Sequence, residues 1–258
     1  MIDWLRQFPD LLLISLCAGV SIGALALTGV LGSSAAQETP TARSSTALEA
    51  YKVIVSFTAI LLSFALVQAQ GALRTAESGV SREAGALNTL DRVLTRYGSS
   101  ATDSIRPLLL GYGRSVVGED WPAMQRGGGA TATTDRQRSI NRAIQTLEDG
   151  RPSKPVLYAE MLKQLDTLND SRQERVDGSS VGLPRVLWEA NGVLCAVLLL
   201  LSCFIRMPSR LIAIGGHGVA LATLIALVFV VEEPFKGHTA SRPAPIERVL
   251  MAMQERVN

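Results

Sequence analysis

Four apolar stretches, two near each end of the chain, enclose a long polar middle. They cover residues 11–31, 53–67, 186–205 and 211–231. A helix needs about 20 apolar residues to cross the hydrocarbon core of a bilayer, and three of the four stretches reach this length. The second is shorter, but Ala69 and Gly71 extend it, and Lys52 can reach the membrane interface with its long side chain. The pattern therefore predicts four transmembrane helices.

The polar middle carries apolar residues at steps of three and four, which is typical of amphipathic helices. Such stripes occur in residues 84–97, 105–116, 140–147 and 157–168. Ser99 is placed to cap the second helix, and Thr134 with Gln137 predicts a capping box at the start of the third. The Trp121-Pro122 corner is expected to end the second helix, and the glycines after it indicate a loop. Because no strand pattern of useful length is present, the chain is predicted to be all-α.

These elements predict an integral membrane protein with two transmembrane helices at each end and a central cytosolic helical domain. We assign residues 1–72 to the first helix pair, 73–183 to the amphipathic domain, 184–236 to the second pair and 237–258 to a cytosolic tail. The first stretch could instead be a secretory signal peptide, but its apolar core exceeds the roughly 7–15 residues typical of such a peptide. It is therefore interpreted as a retained anchor, which puts both termini on one side.

Basic residues near the ends of the spans predict the orientation. The side shared by the termini and the polar middle carries nine of them close to the membrane, whereas the two short opposite loops carry four. Because cytoplasmic segments carry the excess of Lys and Arg, the termini and the central domain are expected in the cytoplasm. We expect a multi-pass protein of the bacterial inner membrane, with the lipid bilayer as its partner.

Composition narrows the classes of function. Charged residues make up 19% of the chain, below the roughly one quarter usual in soluble domains. The net charge of +2 gives no indication of nucleic-acid binding. The three cysteines each fall in a predicted span, the two histidines form no ligand pair, and no nucleophile motif is present. We therefore expect no enzyme, no cofactor and no catalytic or metal site.

Two polar residues, Glu189 and Asn191, lie just inside the third predicted span. Ionisable and amide side chains are costly within a membrane, and they commonly face the bundle interior or a water-filled cavity. The two residues are therefore candidates for polar contacts along an ion pathway.

Three short motifs resemble a known family. They are Gly118-Glu119-Asp120-Trp121-Pro122, Leu183-Pro184 with Leu187-Trp188, and Glu233-Pro234-Phe235-Lys236-Gly237. With the two-plus-two layout of spans, they resemble the bacterial bestrophin-like membrane proteins, a family of unknown function distantly similar to the bestrophin ion channels. The motif residues of the resemblance are Trp121, Pro122, Pro184, Trp188, Pro234, Phe235 and Gly237. Glu232 departs from the pattern, in which an aspartate or a neutral residue is expected.

The resemblance implies a homo-oligomeric channel that conducts ions passively through a central pore. Bestrophins proper are pentamers with four membrane helices per subunit, and apolar residues of the second membrane helix line their narrow neck. On that pattern Phe57, Leu61 and Phe64, which share one helix face, would form the pore constriction. Packing in a helix bundle or contact with lipid is the alternative for these three residues.

A second class of function stays open. The chain could be a membrane-anchored interaction or signalling protein whose cytosolic helices bind a partner. A channel predicts that the second spans surround a pore, whereas an interaction protein predicts sealed spans and an exposed apolar groove on the central helices.

Overall fold

The structure is a computed structural model that describes residues 40–148, 153–180, 182–205, 210–237 and 240–256, together with Ser15, Gly19, Val20 and Gly23. Its α-helices are α1 (Thr41–Tyr97), α2 (Ser100–Ser115), α3 (Trp121–Met124), α4 (Thr131–Gln145), α5 (Pro155–Gly178), α6 (Arg185–Phe204), α7 (Arg210–Val231) and α8 (Ala244–Glu255). A π-helical segment, Val116–Asp120, joins α2 to α3, and a 3-10 turn, Thr146–Glu148, follows α4. No strand occurs among the described residues, so the all-α prediction is confirmed for them. The first predicted span lies almost wholly outside the described residues.

Helix α1 is 57 residues long and unites the second predicted span with the first amphipathic stripe. The sequence has no proline between residues 41 and 97, so every residue of the helix can donate its backbone N–H. The helix ends at Gly98, whose φ of +63° is the left-handed conformation that glycine adopts at little cost after a helix. The Gly98 N–H donates to the carbonyl of Leu94 at 3.2 Å, which closes the last turn.

The two predicted helix caps have different outcomes. Ser99 caps α2 as expected: its hydroxyl accepts from the N–H of Thr102 at 3.2 Å, and the Thr102 hydroxyl accepts from the Ser99 N–H at 3.0 Å. The capping box of Thr134 and Gln137 was wrong. Helix α4 already begins before them, and the Thr134 hydroxyl donates to the carbonyl of Ala130 at 3.2 Å instead of accepting at a helix start.

The predicted end of the second helix at Trp121-Pro122 was also wrong. The chain stays helical there, because the π-helical segment leads directly into α3, which ends at Met124. Pro122 is tolerated because it lies in the first turn of α3, where a missing N–H costs little. The loop predicted at the glycines is confirmed, and Gly127 adopts a φ of +89° within it.

The chain forms two compact units. Unit 1 comprises Met1–Gly71, Gly182–Glu233 and Gly237–Thr239, and unit 2 comprises Ala72–Val181, Pro234–Lys236 and Ala240–Asn258. In unit 1, the first part of α1 packs with α6 and α7 around buried apolar side chains that include Tyr51, Leu62 and Leu198. Three helices within the described residues are long and apolar enough to cross a membrane: α1, α6 and residues 214–231 of α7. They contain the second, third and fourth predicted spans.

Unit 2 has its own hydrophobic core, to which α1, α2, α4, α5 and α8 contribute. Its most completely buried side chains include Leu90, Leu109, Ile140, Met161 and Met253. Helix α8 packs so closely that a Cβ added to Gly113 would lie 2.6 Å from Cδ2 of Leu250. The predicted amphipathic helices of the polar middle therefore cover each other within one unit.

Candidate functional site

Helix α1 carries a stripe of large apolar side chains that the described residues leave exposed. Its members are Val53, Phe57, Ile60, Phe64 and Val67, which are 55–68% exposed. They follow one another at steps of four and three, the spacing of a seam at which helices from several chains meet. We call these five residues the α1 stripe.

The opposite side of α1 is packed within unit 1. The buried residues there are Tyr51, Thr58, Leu62, Ala65 and Ala69, which are at most 4% exposed. At about 100° per residue, they lie nearly opposite the α1 stripe around the helix. Helix α1 is thus held on one side by α6 and α7 and presents a bare, aromatic-rich face on the other.

Two exposed serines, Ser56 and Ser63, run beside the α1 stripe one heptad apart. The Ser56 hydroxyl donates to the carbonyl of Lys52 at 3.0 Å, and the Ser63 hydroxyl donates to that of Ala59 at 2.8 Å. Because their protons are donated to the helix backbone, these hydroxyl oxygens can only accept further hydrogen bonds. The exposed face of α1 is therefore apolar along its centre and offers hydrogen-bond acceptors along one edge.

The structure places two of the three predicted constriction residues in the α1 stripe. Phe57 is 60% exposed and Phe64 is 64% exposed, whereas Leu61 is half-buried at the border of the stripe. Ile60 occupies the central position between the two phenylalanines and was missed by the sequence analysis. The regular four-three spacing from Val53 onwards was the signal that could have found it.

The two predicted pathway residues on α6 do not face the same way. Asn191 is buried, and its side-chain amide donates to the carbonyl of Leu187 at 2.9 Å. Glu189 is exposed, as expected for two residues that lie about 200° apart around a helix. The structure therefore separates the pair, with Asn191 inside unit 1 and Glu189 at its surface.

Several of the motif residues meet in space. The rings of Trp121 and Phe235 pack edge to face with centroids 5.7 Å apart, and the Trp121 Nε1 donates to the carbonyl of Ser241 at 3.2 Å. This contact ties α3 to the segment that follows α7. Gly237 has a φ of +87°, which glycine adopts without strain, and this conformation accounts for a glycine at that motif position.

Within unit 1, Trp188 of the second motif contacts Glu232, the residue that departs from the family pattern. The Trp188 Nε1 donates to Oε2 of Glu232 at 2.9 Å. Glu232 therefore serves as a hydrogen-bond acceptor between the start of α6 and the end of α7. Pro184 forms the N-terminal boundary of α6, and its missing N–H costs no hydrogen bond at that position.

Besides Asp91, the described part of unit 2 contains four buried charged residues, which form one connected group that the sequence patterns did not predict. They are Glu83 on α1, Asp120 at the end of the π-helical segment, and Arg172 and Arg175 on α5. Arg175 donates to the two oxygens of Glu83 at 2.6 and 3.0 Å and to Asp120 at 3.1 Å. Arg172 donates to the two oxygens of Asp120 at 2.9 and 3.1 Å. These four residues, which we call the ionic cluster, join three segments and balance two negative charges with two positive ones.

The surroundings of the ionic cluster shift the pKa of several groups. Burial raises the pKa of the Tyr112 phenol well above its usual value, and the carboxylate of Glu83, which accepts from it at 2.6 Å, raises it further. Burial alone would raise the pKa of Asp120, but the hydrogen bond from Arg172 and the charge of Arg175 hold it below its ordinary 3.8. Burial disfavours the charged form of Arg175. The charge of Glu83 and its hydrogen bond with Arg175 outweigh this effect and raise the pKa of Arg175. Within the cluster, the pKa shifts of Asp120 and Arg175 therefore both favour the charged form.

Comparison with known proteins identifies the family. The profile of the bestrophin-like domain matches residues 14–246. Two crystal structures of a bacterial bestrophin homologue from Klebsiella pneumoniae share the fold with a TM-score of 0.64: one is 14% identical and covers 98% of this chain and 100% of its own, and the other is 16% identical and covers 95% and 97%. A crystal structure of a membrane protein variant has a TM-score of 0.69 at 14% identity and covers 94% and 98%.

None of the curated proteins matches the chain in sequence. Because these solved structures are only 14–16% identical to the chain, their similarity shows a common fold and nothing further. The family profile, in contrast, extends from the first apolar stretch into the C-terminal helix and includes all the motif residues named above. The chain therefore belongs to the bestrophin-like family.

Proposed function

We propose that this protein is the subunit of a homo-oligomeric ion channel of the bacterial inner membrane. Each subunit contributes four membrane helices, with the termini and unit 2 in the cytoplasm, and the α1 stripes of several copies surround a central pore. The observation that carries the proposal is the α1 stripe itself, an exposed row of apolar and aromatic side chains on a membrane-length helix. Membership of the bestrophin-like family supports it.

Contact with lipid is the competing explanation of the α1 stripe, and the neighbouring helix α6 provides a comparison. The large exposed apolar residues of α6 are Val186, Val193, Leu200 and, at its C-terminal end, Phe204, and small apolar residues lie beside them. That composition suits a lipid-facing surface. The α1 stripe differs, because serine oxygens border it and two phenylalanines project from its centre.

A ring of such stripes would form a hydrophobic constriction. Apolar walls around a narrow passage expel water, and a dewetted passage blocks ions until it widens. Phe57 and Phe64 lie two helical turns apart, or about 10 Å along the axis. The neck would therefore be a short apolar cylinder with Ile60 between the two phenylalanine rings, and Leu61 would back it from the subunit side. Asn191, buried within unit 1, would lie behind this wall, whereas Glu189 would contribute a surface carboxylate near the start of α6.

The experiment compares ion flux into liposomes that carry the wild-type protein, Phe64→Ala or Phe204→Ala. Phe204 is a matched control, because it is a phenylalanine that is 42% exposed on a membrane helix outside the α1 stripe. We expect Phe64→Ala to raise the flux, since a smaller side chain widens and wets the neck, and we expect Phe204→Ala to leave it unchanged.

The subunit count is measured in the same detergent before reconstitution. Equal flux from wild type and Phe64→Ala, with both proteins inserted as oligomers, would contradict the proposed neck. A monomer, or no flux with several ions and pH values, would favour the interaction protein described above.

A further inference from the structure

Unit 2 contains a cavity that neither the pore nor the ionic cluster explains. Its volume is about 530 Å³, and it lies between α1, α5 and the segment after α7, whereas a smaller cavity of about 310 Å³ lies between α1 and α8. Binding sites for small organic molecules commonly have volumes of about 300–1,000 Å³. The larger cavity therefore has the size of a ligand site, and we call it the α1–α5 cavity.

Small residues create the space in the α1–α5 cavity. Ala72, Ala76 and Gly79 line it from α1, and Gly178 lines it from the end of α5. A Cβ added to Gly79 or to Gly178 would meet no atom within 4 Å, so the cavity continues up to the backbone at both positions. Phe235, which is 1% exposed, supplies an aromatic wall. The cavity is thus mainly apolar.

Among the exposed charged groups that line the cavity, anions outnumber cations. Arg82 and Glu174 form an ion pair at 2.9 Å with side chains 47% and 54% exposed. Asp177 is a second exposed carboxylate, and it accepts from the amide of Gln173 at 2.8 Å. Arg175 also lines the cavity, but its guanidinium is engaged within the ionic cluster. One exposed cation thus faces two exposed anions, which favours a positively charged ligand.

The place of the cavity in the sequence favours an amphiphilic ligand. Ala72 closely follows the apolar stretch of α1, and Pro234, which also lines the cavity, closely follows the end of α7. Amphiphilic molecules concentrate where membrane helices leave the hydrocarbon layer.

We propose that the α1–α5 cavity binds a small amphiphilic amine, with its apolar body against Gly79 and Phe235 and its ammonium group at Glu174 and Asp177. Such a site would be independent of the α1 stripe, because the two share no residue. Binding can therefore be tested without measuring conduction, so failure of this proposal and failure of the channel proposal are distinguishable.

The test uses three probes with the same rigid apolar body and different charge: 1-adamantylammonium, neutral 1-adamantanol and 1-adamantanecarboxylate. Each is equilibrated by dialysis with the full-length protein in lipid nanodiscs, and empty nanodiscs correct for partition into lipid. We expect saturable binding of the cation, weaker binding of the alcohol and the weakest binding of the carboxylate. An exposed ion pair contributes at most about 1 kcal/mol, so each step in charge should change the affinity up to about five-fold.

Two variants and one control variant test whether the probes bind in this cavity. Gly79→Leu fills the space next to α1 and should abolish binding of all three probes. Gly85→Leu is the matched control, because it places the same side chain on the same helix, also in open space, but in the smaller cavity. Glu174→Gln should remove most of the preference for the cation while leaving binding of the alcohol unchanged.

Each possible outcome decides the proposal. Equal affinity for the three probes would overturn the charge assignment, and equal effects of Gly79→Leu and Gly85→Leu would overturn the location. Absence of saturable binding to the wild-type protein would also overturn the proposal, as expected if a neighbouring subunit fills the cavity. Unchanged oligomer size and thermal unfolding of the variants exclude misfolding as the reason for lost binding.

Discussion

Replacement of Arg175 by methionine tests how strongly the ionic cluster contributes to the stability of unit 2. Arg175 is 1% exposed and donates three hydrogen bonds to Glu83 and Asp120. Methionine removes the charge but retains a long, flexible apolar side chain that fills much of the same space. Asp120 keeps its two hydrogen bonds from Arg172. The main loss therefore falls on Glu83, which is left with the hydrogen bond from Tyr112.

The expected loss in the free energy of unfolding follows from the burial of this ion pair. Removal of one partner of a buried ion pair costs about 3–5 kcal/mol, because the remaining charge stays buried without compensation. The adjacent pair Arg82–Glu174 is a matched control, since it joins the same two helices at 2.9 Å with both side chains about half exposed. Exposed pairs contribute about 0–1 kcal/mol. We therefore expect Arg175→Met to lower the free energy of unfolding by about 4 kcal/mol and Arg82→Met by less than about 1 kcal/mol.

The assay is equilibrium urea unfolding of the full-length protein in detergent micelles, followed by tryptophan fluorescence. Trp121 reports on unit 2, because its ring lies 5.3 Å from the Arg175 guanidinium. A double-mutant cycle with Glu83→Gln should give a coupling energy of about 2 kcal/mol, since the double variant leaves no unpaired charge at this contact. Equal losses for Arg175→Met and Arg82→Met, or additive losses in the cycle, would refute the reasoning.

Two further predictions concern acid stability and topology. Because the folded protein holds the pKa of Asp120 below 3.8, this group contributes stability that is present above that pH and is lost as the pH falls through its folded value. Acid unfolding of Asp120→Asn should therefore depend less on pH below about 4 than that of the wild type, and identical pH profiles would show that Asp120 contributes nothing. A reporter fused after Asn258 should be active in the cytoplasm only, and activity on the other side of the membrane would reverse the proposed orientation.

The sequence predicted most of the helices and the common face of the two phenylalanines, because both depend on local spacing. Periodic apolar residues, together with the cap residue Ser99, mark helices that the structure contains. Phe57 and Phe64 share a face by the geometry of any α-helix. The half-buried position of Leu61 depends instead on which side of α1 packs against α6 and α7, and that choice is made by tertiary contacts.

The ionic cluster was missed because its partners are far apart in sequence. Glu83 and Arg175 are separated by 92 positions, and each lies next to an exposed residue of the opposite charge. A signal was nevertheless present on α5. The apolar stripe through Leu165 and Leu168 continues at the same spacing of four and three into Arg172 and Arg175. Arginines at core positions of a stripe indicate buried partners, whose identity only the fold reveals.

The two neighbouring ion pairs between α1 and α5 also specify the register of these helices. On α1 the order is Arg82 then Glu83, and on α5 it is Glu174 then Arg175, so the charges match in a single alignment. A screw displacement of α5 by one residue, about 1.5 Å along and 100° around its axis, would bring Arg175 towards Arg82, and the opposite displacement would bring Glu174 towards Glu83. Like charges would then repel in a place where one pair has no access to water. A purely apolar contact would tolerate such sliding, whereas this arrangement admits one fit of the two helices.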